Sequence, residues 1–348
     1  VPSLGGISLF LGIALGAMLG LQEIVVPDFR YMMISTIILL FIGVKDDLLD
    51  ISPLKKVIAQ LICAFILIGI GGIRFTNFHG FLGLYEIDEL TSFLFSTVFI
   101  VGVINAINLI DGIDGLAASI AMLASVVLGV NFLMLDKLSY AIMCMAMTGS
   151  LLAFLAFNLF GGKNKIFMGD TGSLMMGLLL ASLIIRFNEF SISQNQILSN
   201  FSPVLSTAII AIPLIDMIRL FFIRMMKNKS PFSPDMNHIH HQLLALGLSH
   251  LMATTIITAF TILLVGMAYA FRNLNNHLLI ILIILGTAMF MIIPSIIAAH
   301  TKPQRSTVKK IDFRNYVFPS RKFKQAWNPN AELTRKEPEQ EAQEQQSV

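Results

Sequence analysis

The chain has 348 residues, 55% of them hydrophobic and only 13% charged, with a net charge of +3. Soluble domains carry about 25% charged residues, so a soluble globular protein is excluded, and so small a positive balance makes no case for nucleic acid. The apolar residues come in runs of roughly 18–25, the length that spans a bilayer core, and they do not alternate as β-barrel strands do. The expected class is an all-α polytopic membrane protein.

Ten spans are predicted, at about 4–22, 31–44, 54–73, 90–110, 115–135, 138–160, 172–187, 201–226, 250–271 and 277–299. The chain opens at Val1 inside VPSLGG, and one further span is expected ahead of it. Cys63 and Cys144 lie in apolar runs and read as core residues, with no disulfide or metal set implied. The segment 74–90 alternates enough for a small surface hairpin. After about residue 300 the chain turns basic and then Glu/Gln-rich, with too little apolar content to pack. Residues 1–300 are therefore expected as a multi-pass catalytic domain, and 301–348 as a disordered cytoplasmic tail.

If each span crosses once, the loops holding KDDLLD, DGIDG, KIFMGDTGS and HIHH fall on one side. That side also holds Lys45, Lys55, Lys56, Lys163, Lys165, Arg224, Lys227 and Lys229, against single bases such as Arg30, Arg74, Lys137 and Arg272 on the other. The positive-inside rule makes the motif side cytoplasmic. Four polar motifs gathered on one membrane face point to one site.

The stretch 105–117, NAINLIDGIDGLA, places Asn105, Asn108, Asp111 and Asp114 three residues apart. Spacing of three keeps the two amides on one helix face, and the two Asp-Gly steps then break the helix. Such groups at a membrane boundary must be paired, hydrated or bound to something. Asp46 and Asp47 end the second span; they are either a solvated helix end or part of the same site, with Lys55 and Lys56 downstream to meet their charge. Asp50, before Ser52-Pro53, reads as a cap.

In MGDTGS, Asp170 opens the seventh span. Either it caps the helix, or free amides there bind phosphate oxygens while the carboxylate holds a divalent ion. His238, His240 and His241 form HIHH, flanked by a SPFSPD turn. No cysteine lies near, so structural zinc is disfavoured and binding of a diphosphate is preferred. Asp216 and Arg219, at i and i+3, are expected to pair with each other.

With these motifs together and in this order, the chain resembles the polyprenyl-phosphate N-acetylhexosamine-1-phosphate transferases. An eleventh span and HIHH resemble the N-acetylglucosamine-1-phosphate branch. The phospho-N-acetylmuramoyl-pentapeptide branch, kept as the alternative, tends to carry a His-His-His-Phe-Glu run that is missing here. The resemblance implies transfer of a sugar 1-phosphate from a UDP-N-acetylhexosamine to polyprenyl phosphate at the plasma (inner) membrane, with release of UMP. It implies Mg²⁺, with Mn²⁺ as a substitute, held by Asp170 and touched by Asn108. Asp46 would contact or deprotonate the lipid phosphate with Asp47 beside it, and Lys56 would grip a phosphate. Asn105, Asn108, Asp111 and Asp114 would hold the uridine and sugar-phosphate end, and the three histidines the diphosphate. A homodimer is left open. A secondary transporter is the rival from another class; its carboxylates would sit near the midplane, often in inverted repeats, and these acids cluster in one-sided loops.

Overall fold

Inside a bilayer every backbone amide must find its partner within its own segment, so continuous apolar runs fold as helices. The computed structural model describes residues 5–21, 28–193, 196–228 and 237–300. Residues 1–4 of VPSLGG, the whole SPFSPD turn and the 301–348 tail lie outside the described residues.

The helices are α1 (Gly5–Leu21), α2 (Phe29–Leu49), α3 (Pro53–Phe65), α4 (Glu89–Ile110), α5 (Leu116–Met134), α6 (Leu138–Phe160), α7 (Gly169–Ile192), α8 (Gln196–Met226), a short α9 (Ile239–Ala245), α10 (His250–Ala270) and α11 (Asn276–His300). Every helix except α9 coincides with one of the ten expected spans. Among the described residues eight are long and apolar enough to cross a membrane, α3 together with the π-helical Ile66–Ile70 that extends it. The other two differ for simple reasons. α1 is apolar but has 17 residues, and α2 carries Arg30 at one end and Lys45, Asp46 and Asp47 at the other. The expected hairpin in 74–90 is reduced to one antiparallel bridge, Asn77 to Glu86, with the Phe78 amide on the Tyr85 carbonyl at 2.8 Å and the Ile87 amide on the Thr76 carbonyl at 3.0 Å.

Helix α7 is the axis of the bundle: 78% of its apolar window is buried, and α1, α2, α4, α5 and α8 all pack on it. Small residues make this possible, as expected where helices associate without a hydrophobic drive. A Cβ on Gly6 of α1 would strike the backbone of Gly172, and one on Gly43 of α2 would strike the backbone of Thr171. Both close approaches lie in the first turn of α7. The amide of Gly5 donates to the carbonyl of Phe167 at 3.0 Å, which ties the start of α1 to the loop before α7.

The opposite end of the bundle is tied by its own polar contacts. Thr76 donates its amide and its hydroxyl to Glu189 at 2.8 and 2.7 Å. His79 Nδ1 lies 3.1 Å from the Ser199 hydroxyl, and Asn276 donates to the His79 carbonyl at 2.9 Å. Burial lowers the pKa of His79 to about 4. Asp28 pairs with Arg186 at 2.5 Å and accepts from Tyr140. With both ends fixed, successive helices run back and forth, and the ends of α2, α4, α6 and α8 meet the starts of α3, α5, α7, α9 and α10.

Candidate active site

Two carboxylates that are neighbours in sequence turn to different tasks. Asp46, 9% exposed, uses Oδ1 to accept the amide of Ile51 at 2.9 Å and Oδ2 to meet the Lys56 ammonium at 2.6 Å. Asp47 instead reaches α7. Its Oδ1 accepts the Asp170 amide at 2.9 Å, and its Oδ2 accepts the Thr171 amide and hydroxyl at 3.1 and 2.6 Å. The amides expected to be free for phosphate are therefore taken by Asp47, and this corrects the sequence reading. Helix starts need an acceptor for their first amides; here it comes from another helix, 123 residues away for Asp170. Asp50 ends α2 in a left-handed conformation with its amide on the Asp46 carbonyl at 3.0 Å, and the position before α3 that the sequence reading gave it as a cap is taken by Ser52.

Asp170, two residues into α7, is the meeting point. Lys56 ion-pairs with its Oδ2, and Asn108 donates to its Oδ1 at 3.0 Å and to the Ser173 hydroxyl at 2.9 Å. Lys56 thus lies between Asp46 and Asp170, and it is Lys56, not Lys55, that meets the acid pair. Asn105 does not join this cluster. Its amide nitrogen is spent on Gln60 and the Val101 carbonyl, both at 2.7 Å, and its oxygen accepts from Gln60 at 3.3 Å.

Asp111 and Asp114 lie in the turn between α4 and α5. Burial holds the Asp111 carboxyl far above the usual carboxylate range, and the negative charges of Asp170, Asp47 and Asp114 push the same way. Asp114 is clamped from two sides, with Lys165 Nζ at 2.7 Å and His250 Nδ1 at 2.8 Å from its Oδ2. Lys165 is also 5.2 Å from the Phe167 ring centre.

The histidine motif is set by Asp216. Its carboxylate accepts from Arg219 at 2.9 Å, as expected, and also from the Ile239 amide at 3.2 Å, with His238 Nδ1 at 2.8 Å. Arg219 donates further to the Asn237 carbonyl at 2.7 Å. This anchoring lays the His238 and His240 rings parallel, centres 5.6 Å apart, with the His241 ring tilted against His240 at 4.2 Å. His240 lies so close to Gly112 that a Cβ there would strike its imidazole, so HIHH seats directly on DGIDG. Burial, with smaller contributions from the charges of His241 and His238, lowers the His240 pKa to about 3. The ring is neutral, and neither of its nitrogens has a hydrogen-bond partner among the described residues.

All four motif loops thus converge at one end of the bundle. Asp46, Lys56, Asn108 and Asp170 form one polar group; Asp111 lies close enough for its charge to be felt, and HIHH rests on the same turn. Sequence reasoning missed Gln60, Thr171 and His250 and left Lys165 as a bulk charge. Their partners are distant in the chain, and only Gln60, a lone amide in an apolar run, carries a local signal.

These residues suit a hard divalent cation. Asp170 carries a carboxylate beside the Asn108 amide, and Asp46 shares Lys56 with it, so oxygen donors gather at the start of α7. Among the described residues no three His, Cys, Asp or Glu side chains converge as a ready-made cage. Mg²⁺ needs only one or two protein carboxylates and completes its shell with water and phosphate oxygens, so Asp170 with Asn108 is the pair that would hold it.

Similarity to known proteins agrees with this geometry. The profile of glycosyl transferase family 4 matches residues 29–188, from α2 into α7. Undecaprenyl-phosphate alpha-N-acetylglucosaminyl 1-phosphate transferase of Salmonella typhi is 33% identical over 269 residues, covering 76% of this chain and 71% of that one. The proteins of that name from Haemophilus influenzae and Escherichia coli K12 are 35% and 31% identical, over 74% and 76% of this chain and 72% and 71% of theirs. With these relatives aligned over most of both chains, and the family's matched region carrying Asp46, Asp47, Lys56, Asn108, Asp111 and Asp170, the chain belongs to glycosyl transferase family 4.

Proposed function

We propose that this membrane protein transfers N-acetylglucosamine 1-phosphate from UDP-N-acetylglucosamine to undecaprenyl phosphate and releases UMP. The observation that carries the reading is the convergence of Asp46, Lys56, Asn108 and Asp170 at one end of the bundle, under the DGIDG turn and the histidines. Names of relatives supply the substrates, and the residues supply chemistry that suits them.

The reaction joins an oxygen of the lipid phosphate to the sugar-linked phosphorus of the donor. The bond from that phosphorus to the bridging oxygen breaks, and the electron pair leaves with UMP. Three phosphate groups have to approach one another, so their charge must be neutralised and their line of attack fixed. Bound Mg²⁺, on Asp170 with Asn108 beside it, would supply charge neutralisation between phosphate oxygens. Lys56 can exchange its carboxylate partners for phosphate. Asp46 orients Lys56 and faces the acceptor; the second pKa of a phosphate monoester is about 6, so the lipid phosphate reaches the site largely ionised. Asp47 holds Asp170 in place by closing the start of α7. Neutral His240 offers a ring N–H to a diphosphate oxygen without adding charge.

Geometry also suits the substrates. A site at one end of the helices serves a lipid that stays in the bilayer and a nucleotide that arrives from water. Lys45, Lys55, Lys163, Arg224 and Lys227 flank this end, and the positive-inside rule assigns it to the cytoplasmic face of the plasma membrane.

The test is a donor panel. Purified protein with undecaprenyl phosphate and Mg²⁺ is given radiolabelled UDP-N-acetylglucosamine, UDP-N-acetylgalactosamine, UDP-glucose and UDP-N-acetylmuramoyl-pentapeptide. Lipid-linked label is expected from the first, and preference for the pentapeptide nucleotide would overturn the reading.

A further inference from the structure

One buried amide pair is left over once the site is built. Gln60 is fully buried in α3, one turn from Lys56 on the same face. Asn105 stands in α4, three residues before Asn108 on a shared face. Their amides pair reciprocally, with Asn105 Nδ2 to Gln60 Oε1 at 2.7 Å and Gln60 Nε2 to Asn105 Oδ1 at 3.3 Å.

The two helices are therefore linked by two rungs. The upper rung is Lys56–Asp170–Asn108, and the lower is Gln60–Asn105, one turn deeper in the bundle. Among the described residues the lower rung is the side-chain hydrogen bonding that joins α3 to α4 directly. Aromatic packing of Phe65 on Phe93, at 6.4 Å, ties the same helices toward the far end. It leaves the site end to the amides. Apolar side chains of the right volume would pack there as well. A reciprocal amide pair instead fixes the register and rotation of the facing helices, because a shift by one position would leave polar groups unpaired in an apolar interior.

We infer that Gln60, through Asn105, is a positioning residue for the transfer reaction: it sets the α3–α4 register that aims Lys56 and Asn108 at the same carboxylate. Lys56 has a flexible four-carbon stem, so its reach is set by where its backbone stands. Asn108 is rigid and short, so its register on α4 decides whether it meets Asp170. A displacement of about 1 Å at such groups can cost 10²-fold in rate. On the proposed reading Lys56 and Asn108 act at the reacting phosphates, so the loss is expected to fall mainly on kcat.

The inference rests on the proposed transferase reading. Its test compares Gln60→Met, the apolar double variant Gln60→Met with Asn105→Leu, and the exchanged pair Gln60→Asn with Asn105→Gln. For each, thermal stability in lipid nanodiscs is measured beside kcat and KM for UDP-N-acetylglucosamine. The single variant strands an amide and is expected to lose both stability and kcat. The apolar double regains stability, because neither polar group is stranded, yet kcat stays down by about tenfold or more with donor KM little changed. The exchanged pair keeps both amides across the interface and recovers most of the lost kcat. A stable apolar double with wild-type kcat would overturn the inference by reducing the pair to packing. So would an exchanged pair that regains stability and stays as slow as the single variant. Should the wild-type protein form no lipid-linked product in the same assay, it is the transferase reading that fails.

Discussion

Asp47 holds Thr171 by both its amide and its hydroxyl, at 3.1 and 2.6 Å, and so closes the start of α7 from the end of α2. An acid that reads as half of a catalytic pair is in the structure a cap supplied across a helix interface. Loss of a helix cap costs about 1 kcal/mol. Asp47→Ala is expected to lower the melting temperature by several degrees and to cut activity, since Asp47 also holds the amide of Asp170. Asp47→Asn keeps an acceptor and should retain more stability than the alanine variant. Equal melting temperatures for wild type and Asp47→Ala would contradict the capping role.

Asp170→Asn tests the metal reading. An amide is a poorer ligand for a hard cation than a carboxylate, and the variant also loses the ion pair with Lys56. Turnover is expected to fall by about 10²-fold or more. Mg²⁺ should raise the melting temperature of the wild-type protein and leave that of the variant unmoved. Wild-type turnover by the variant at saturating Mg²⁺ would remove Asp170 from the metal site.

His240 gives a pH dependence with a definite sign. Burial lowers its folded pKa to about 3, below the ordinary value of 6.5. In the unfolded chain the ring takes up a proton near 6.5, and in the fold it stays neutral. Its contribution to stability is therefore complete above pH 6.5 and is lost as pH falls from 6.5 toward 3. Thermal melts over that window should show the wild-type protein losing more stability than His240→Gln. Parallel pH profiles would mean the imidazole is not held neutral.

The clamp on Asp114 joins two side chains of different exposure. The Lys165 side chain is 29% exposed and that of His250 50%. Exposed pairs contribute up to about 1 kcal/mol, so His250→Ala should raise the donor KM by no more than about fivefold. Lys165→Met should raise it further. Because both act on one carboxylate oxygen, the double variant should lose less than the product of the single effects. Strictly multiplicative losses would show that the two do not share Asp114.

Much of this was legible before any coordinates. The helices follow from apolar runs because a bilayer leaves the backbone no other choice, and one crossing per span correctly put KDD, DGIDG, MGDTGS and HIHH at one end. The pairing of Asp216 with Arg219 was readable because both are on one helix. What escaped is pairing across distance. Asp47 and Thr171 are 124 residues apart, Asp114 and His250 are 136 apart, and Gln60 and Asn105 are 45 apart. Gln60 did leave a trace, as a lone amide in an apolar run one turn from Lys56. The choice between free and occupied amides at the start of α7 could not be made locally, since the occupant comes from α2.

The central claim is that one phosphorus moves from nucleotide to lipid at the site that gathers Asp46, Lys56, Asn108 and Asp170. It is tested most directly with UDP-N-acetylglucosamine labelled with ³²P at the sugar-linked phosphate, given to the purified protein with undecaprenyl phosphate and Mg²⁺. The account predicts that the label enters the lipid fraction with one UMP released per labelled lipid, and that Asp170→Asn stops both together. Label that stays in water as free sugar phosphate, or lipid product formed without UMP, would contradict it.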